Sequence, residues 1–101
     1  MSAIMIHKNN FNEEVINSDK PVLLDFWAPW CAPCRMVLPL VEEIAKEYPE
    51  IKVGKINVDE QPELANQFKV MSIPTLVVME KGQIVNQASG SRFKEDILAL
   101  L

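Results

Sequence analysis

Short apolar runs broken by turn residues alternate along this chain with longer stretches whose apolar positions recur every three to four residues. That alternation of two periods is the pattern of an α/β domain. Residues 3–6 form a short apolar segment, expected as an edge strand. Asn10 precedes Phe11 and stands three residues before Glu13, as in a capping box, so a short helix to about Ile16 should follow. Pro21 opens a strand over 22–28 that is apolar at every position except Asp25, as suits a strand buried on both faces.

A long helix is expected over 31–48. Val37, Leu40, Val41, Ile44, Ala45 and Tyr48 share one face at helical spacing, and Glu42, Glu43, Lys46 and Glu47 lie outside it. Pro49 stops it. Pro33 falls in the first turn, where an amide has no helical partner. Pro39 removes the bond to the Arg35 carbonyl and crowds that turn at a cost of about 3 kcal/mol, so a kink is expected there.

Residues 51–58 read as a strand with a break in phase. Ile51 and Val53 share one face with Lys55, while Ile56 and Val58 take the other. Residues 62–68 form a short helix with Leu64 and Phe68 inward. Segments 75–79 and 83–88 read as a hairpin around Lys81 and Gly82. Ser91 should cap a final helix with Phe93, Ile97, Leu100 and Leu101 on one face.

No repeat, low-complexity tract or linker interrupts this order, and 101 residues fit one domain, 1–101. A net charge of −4 argues against nucleic-acid binding, which needs a basic patch. No apolar run approaches the roughly 18 residues of a membrane span. The first ten residues carry no basic stretch followed by an apolar one, so no signal peptide is expected and a cytoplasmic location follows.

The two cysteines stand three apart, where a strand gives way to a helix. At i and i+3 on a helix the two sulfurs can meet. Cys31 sits where free amides and the positive end of the helix dipole converge, which favours the reactive thiolate. The dipole supplies about 0.3–1 kcal/mol, less than one pKa unit, so further activation needs hydrogen bonds, the Cys34 thiol being one candidate donor. Cys31, nearer the helix end and the surface, is the expected nucleophile and Cys34 the resolving thiol. Two other readings stand beside this one. A zinc site needs four ligands, and His7 is the one further soft ligand in the chain. A structural disulfide closing so short a loop contributes only about 2 kcal/mol and would be opened by cytosolic reductants.

The segment Phe26-Trp27-Ala28-Pro29-Trp30-Cys31-Ala32-Pro33-Cys34-Arg35 closely resembles the active-site segment of thioredoxins, and the likeness extends over nearly the whole chain. Asp25 matches the family's buried aspartate, Pro39 its helix-kinking proline, and Lys55 the lysine near that aspartate. Ile73-Pro74-Thr75 matches its cis-proline loop, and Gly90 a glycine beside the substrate groove. Ala32 stands where the family usually has glycine, in the dipeptide that tunes redox behaviour in related proteins. Arg35 replaces a more usual lysine and keeps the charge.

The resemblance implies a central mixed five-stranded sheet flanked by four helices. It also implies a monomer that reduces protein disulfides with no bound cofactor. NADPH would act only indirectly, through a flavoprotein thioredoxin reductase that regenerates the dithiol. Asp25 would accept the proton of Cys34; as a buried carboxyl it should have a raised pKa. Lys55 would pair with Asp25, or its head would snorkel to water. A cis bond before Pro74 would expose the backbone of Ile73 to a substrate strand and keep metal from the thiols. Trp27 should pack in the core, whereas Trp30 should shape the substrate surface. Two other classes compete with the reductase: a thiol-independent binding subunit of this fold, and an oxidase or isomerase of an oxidising compartment. Intact Cys31, Cys34, Asp25 and Pro74 argue against the first, and the leaderless start against the second.

Overall fold

The computed structural model describes residues 2–101. A single five-stranded sheet has the order β1-β3-β2-β4-β5, with β1 Ile4–Met5, β2 Val22–Trp27, β3 Lys52–Asn57, β4 Thr75–Glu80 and β5 Gln83–Ser89. The pairs β1–β3 and β2–β3 are parallel, and β2–β4 and β4–β5 antiparallel, so the sheet is mixed. Three α-helices, α1 Ala32–Glu47, α2 Pro62–Gln67 and α3 Lys94–Leu98, and a π-helical turn, Asn12–Ile16, complete the fold.

Strand alternation divides the interior in two. Val22, Leu24 and Phe26 of β2 join Ile56, Val77, Met79, Leu64 and Phe68 on the face under the π-turn and α2. Leu23 joins Val53, Leu76, Val78 and the inner residues of α1 and α3, namely Val37, Val41, Ile44 and Ile97. The phase break in β3 is therefore the mark of a strand covered on both sides. Ile51 and Val53 belong to one core and Ile56 and Val58 to the other. Each fully buried Leu, Ile or Phe contributes about 1.5–3 kcal/mol, so the two cores fix β2 at the centre of the sheet. The hairpin turns as expected. Lys81 and Gly82 both have positive φ, 51° and 77°, the backbone of a turn matched to strand twist.

Four sequence expectations change. The capping box does not form: Asn10 Oδ1 accepts from the His7 amide at 2.8 Å and its Nδ2 donates to the Met5 carbonyl. Phe11 takes the cap position without a side-chain bond, and the turn that follows is wide, with the Asn17 amide reaching back five residues to the Asn12 carbonyl. Ser91 likewise caps nothing. Phe93 holds the N-cap of α3, again with no side-chain bond. Its ring is 74% exposed rather than turned inward, and Leu98 packs inward instead. Strand β2 ends one residue early, at Trp27, because the chain turns at 28–30 to enter α1. Apart from these, α1 spans Ala32–Glu47 with Pro39 inside it and Val37, Val41, Ile44 and Ala45 buried.

Candidate active site

The central strand and the first long helix meet at the two cysteines. The Cys31 amide donates to the Ala28 carbonyl at 3.1 Å, closing the turn that carries the chain from β2 into α1. Cys31 is the N-cap of α1, with extended backbone at φ −94°, and Pro33 occupies the first turn as expected. The Cys34 amide, one of the helix's free N–H groups, donates to Cys31 Sγ at 3.2 Å. A backbone amide, rather than the Cys34 thiol, thus reaches the Cys31 sulfur in the disulfide-bonded pair. The pair is disulfide-bonded, with Cα atoms 5.3 Å apart. Cys34 is fully buried, while Cys31 retains 5% exposure.

A groove of ≈ 490 Å³ opens beside Cys31. Trp30, Cys31, Ala32 and Pro33 form one wall, and Val70, Met71, Ser72 and Ile73 the other. Cys34 is not among the lining residues. Trp30 is 67% exposed and is tethered through its indole N–H to Asp59 Oδ2 at 2.8 Å. The Ile73–Pro74 peptide is cis. The Ile73 carbonyl oxygen stands 3.7 Å from Cys31 Sγ, so this loop brings a backbone acceptor up to that sulfur. Pro74 itself is buried, and neither it nor Gly90 lines the groove. The Gly90 amide donates to the Pro74 carbonyl at 2.8 Å, and its φ of 99° is a conformation that favours glycine. Gly90 therefore holds the loop that forms the wall.

Asp25 is fully buried on β2, and neither carboxylate oxygen has a hydrogen-bond partner. Burial raises its pKa to about 7, and the Lys55 charge pulls the other way. Lys55 is its register neighbour on β3, but of the two expectations for Lys55 the ion pair with Asp25 does not form. The Lys55 ammonium turns to Glu42 Oε2 at 3.0 Å. Trp27 packs against Ala28, Cys31 and Cys34, so its role as a packing residue is played against the disulfide itself. Its indole N–H is buried without a partner. Among the described residues no group of three or more His, Cys, Asp or Glu is placed to hold a metal ion, and His7 stays exposed in the loop after β1.

Sequence reasoning missed Asp59, Glu42 and Met71. Asp59 lies in the loop after β3, where nothing local marks an indole partner. Glu42 reads as one more charge on a solvated helix face. Met71, 94% exposed at the groove wall, was signalled only by its place two residues before Ile73.

A cysteine pair at a strand-to-helix junction, with an amide aimed at the outer sulfur and an open groove beside it, defines a dithiol–disulfide oxidoreductase. The family profile described as Thioredoxin matches residues 2–101. Thioredoxin 1 of Nostoc sp. is 50% identical over 91 residues, covering 89% of this chain and 85% of its own. Thioredoxin 1 of Synechococcus elongatus is 52% identical over 90 residues, covering 88% of this chain and 84% of its own. The bifunctional thioredoxin reductase/thioredoxin of Mycobacterium leprae is 47% identical over 97 residues, which cover 95% of this chain and 21% of that protein. The chain belongs to the thioredoxin family. Its redox group is the Cys31–Cys34 pair.

Proposed function

We propose that the chain acts as a single-domain, monomeric protein-disulfide reductase of the cytoplasm, with Cys31 as nucleophile, Cys34 as resolving thiol and Asp25 as proton acceptor. The observation that carries this assignment is the asymmetry of the pair: Cys31 lines the groove and receives the Cys34 amide, while Cys34 lies buried behind it. In the reduced protein that amide stabilises a thiolate at Cys31.

The thiolate attacks one sulfur of a substrate disulfide. A Cys31–substrate disulfide forms, the substrate S–S bond breaks, and the departing substrate thiolate takes a proton from water. Cys34 passes its proton to Asp25 and attacks Cys31 Sγ. The mixed disulfide breaks, the second substrate thiolate leaves and is protonated, and the Cys31–Cys34 disulfide remains. Two electrons have moved to the substrate. A carboxyl with a pKa of about 7 is poised to accept a proton near neutral pH.

Trp30 and Ile73 are the walls against which an extended substrate segment would lie, with the Ile73 backbone as a pairing edge. Pro74 and Gly90 keep that edge in place, and Ala32 and Pro33 shape the lip next to Cys31. The electrons return from a flavoprotein thioredoxin reductase using NADPH. The fusion of both activities in the named Mycobacterium leprae relative supports that partner. No helix of the described residues is long and apolar enough to cross a membrane, in keeping with this setting.

Insulin reduction with a chemical reductant tests the division of labour. Cys31→Ser should abolish turnover, and Cys34→Ser should retain attack but trap a covalent substrate adduct. Adducts trapped by the Cys31 variant and not by the Cys34 variant would reverse the assignment. Wild-type turnover no faster than that of the chemical reductant alone would return the protein to a thiol-independent binding role.

A further inference from the structure

Lys55 is the charged residue closest in register to Asp25, yet it makes no bond to it. Its ammonium is held at 3.0 Å by Glu42 Oε2. Glu42 is itself anchored, since its other oxygen accepts the Ala3 amide at 2.8 Å. The carboxylate therefore bridges the chain's first strand region, helix α1 and strand β3, and its position is fixed from two sides. Both partners are only partly exposed, with side-chain exposures of 23% for Lys55 and 30% for Glu42, so the pair is not a freely solvated one.

The other charges around Asp25 are committed elsewhere. On α1, Arg35 donates to the Pro29 carbonyl, and Glu43 and Glu47 both bind Lys94 of α3. Lys46 acts on Glu42 rather than on Asp25. Glu95 and Asp96 of α3 are exposed, and β4 sets apolar Leu76 opposite Asp25. Cys34 of α1 is held in the disulfide and does not titrate in this state. Among the described residues, Lys55 is thus the cation placed to change the field at Asp25 by a small movement.

We propose that Glu42 is a positioning residue that holds the Lys55 ammonium off Asp25 and so sets how readily Asp25 takes up a proton. A direct ion pair would favour the carboxylate and leave a weak base behind Cys34. With Lys55 turned to Glu42, Asp25 feels the cation only through space, and burial dominates. The consequence for turnover rests on Asp25 being the proton acceptor; the control of its ionisation does not.

The test follows the Asp25 carboxyl carbon by NMR from pH 4 to 9 in the oxidised protein, where neither cysteine titrates. Glu42→Gln removes the anchoring charge, frees Lys55 toward Asp25, and should lower the midpoint by about one pH unit. Lys55→Met should raise it above the wild-type value. In the double variant Glu42→Gln should have no further effect, because the residue through which it acts is gone. A midpoint unmoved by Glu42→Gln, or lowered equally with and without Lys55, overturns the proposal. The pH profile of insulin reduction is measured on the same variants and should move with the midpoint. If the midpoint moves while the profile stays, Glu42 controls Asp25 as proposed, and it is the proton-acceptor role of Asp25 that fails.

Discussion

Replacing Asp25 with Ala should make the oxidised protein more stable at neutral pH, by an amount that depends on pH in a defined way. The folded carboxyl titrates at about 7 against an ordinary value of 3.8. Between those values the folded state binds more protons than the unfolded state, so stability falls as pH rises. The stability associated with the neutral acid is complete below about pH 3.8, declines toward pH 7, and is fully lost above it. Three units at about 1.36 kcal/mol each come to about 4 kcal/mol.

The variant has no such slope. Its own cost is the small cavity left by the carboxyl, about 1 kcal/mol at about 24 cal/mol per Å³, and that cost is the same at every pH. The difference between variant and wild type should therefore grow by about 4 kcal/mol from pH 4 to 8. With urea slopes of about 1–3 kcal/mol/M, the unfolding midpoint of the variant should move by more than about 1 M relative to wild type across that range. Unfolding is followed without reductant, so that cysteine ionisation does not contribute. Insulin reduction by the same variant should slow, because stability gained with activity lost marks a strained functional group. A stability difference that stays constant from pH 4 to 8 would refute the reasoning, since it would mean that Asp25 titrates alike in folded and unfolded chains.

Gly90→Ala should cost about 1–3 kcal/mol in thermal or urea unfolding purely through its backbone, since φ is 99° and nothing lies within 4 Å of an added Cβ. Gly54→Ala should cost a similar 1–3 kcal/mol for the opposite reason, because its Cβ would sit 2.6 Å from Ile6 Cγ1 in a filled core; a neutral unfolding result would mean that Ile6 can move aside. Asp59→Ala should release the Trp30 indole and raise KM for a protein disulfide several-fold, the loss of about 1 kcal/mol, with kcat little changed. Steady-state insulin reduction separates those two constants.

Much of this molecule was legible before its fold. The apolar run of β2, the face of α1, the hairpin at Lys81-Gly82 and the CxxC junction are local patterns, and local geometry decides them. Periods of two and 3.6 residues depend only on backbone repeat, and a positive φ at Gly82 depends only on its own sterics. The break at Ile51 to Val58 was also visible, and its explanation, two cores on two faces, needed only the sheet order. Tertiary packing decided the rest. Asn10 and Ser91 have good capping chemistry, but Asn10 is taken by His7 and Met5, and the cap of α3 falls two residues beyond the expected one, at Phe93. Propensity is worth about 1 kcal/mol at such a cap and yields to packing. Lys55 was placed near Asp25 by the family resemblance, with pairing or a solvent-directed ammonium as its two options, and it is indeed the register neighbour. Which anion the ammonium reaches depends on Glu42, thirteen residues away on another element. The wall opposite Cys31 is likewise assembled from residues 70–73, distant in sequence, and the indole tether of Trp30 from Asp59. Spacing along the chain can declare a reactive pair; the groove beside it and the charges around the buried Asp25 are long-range contacts, and only the folded chain brings them together.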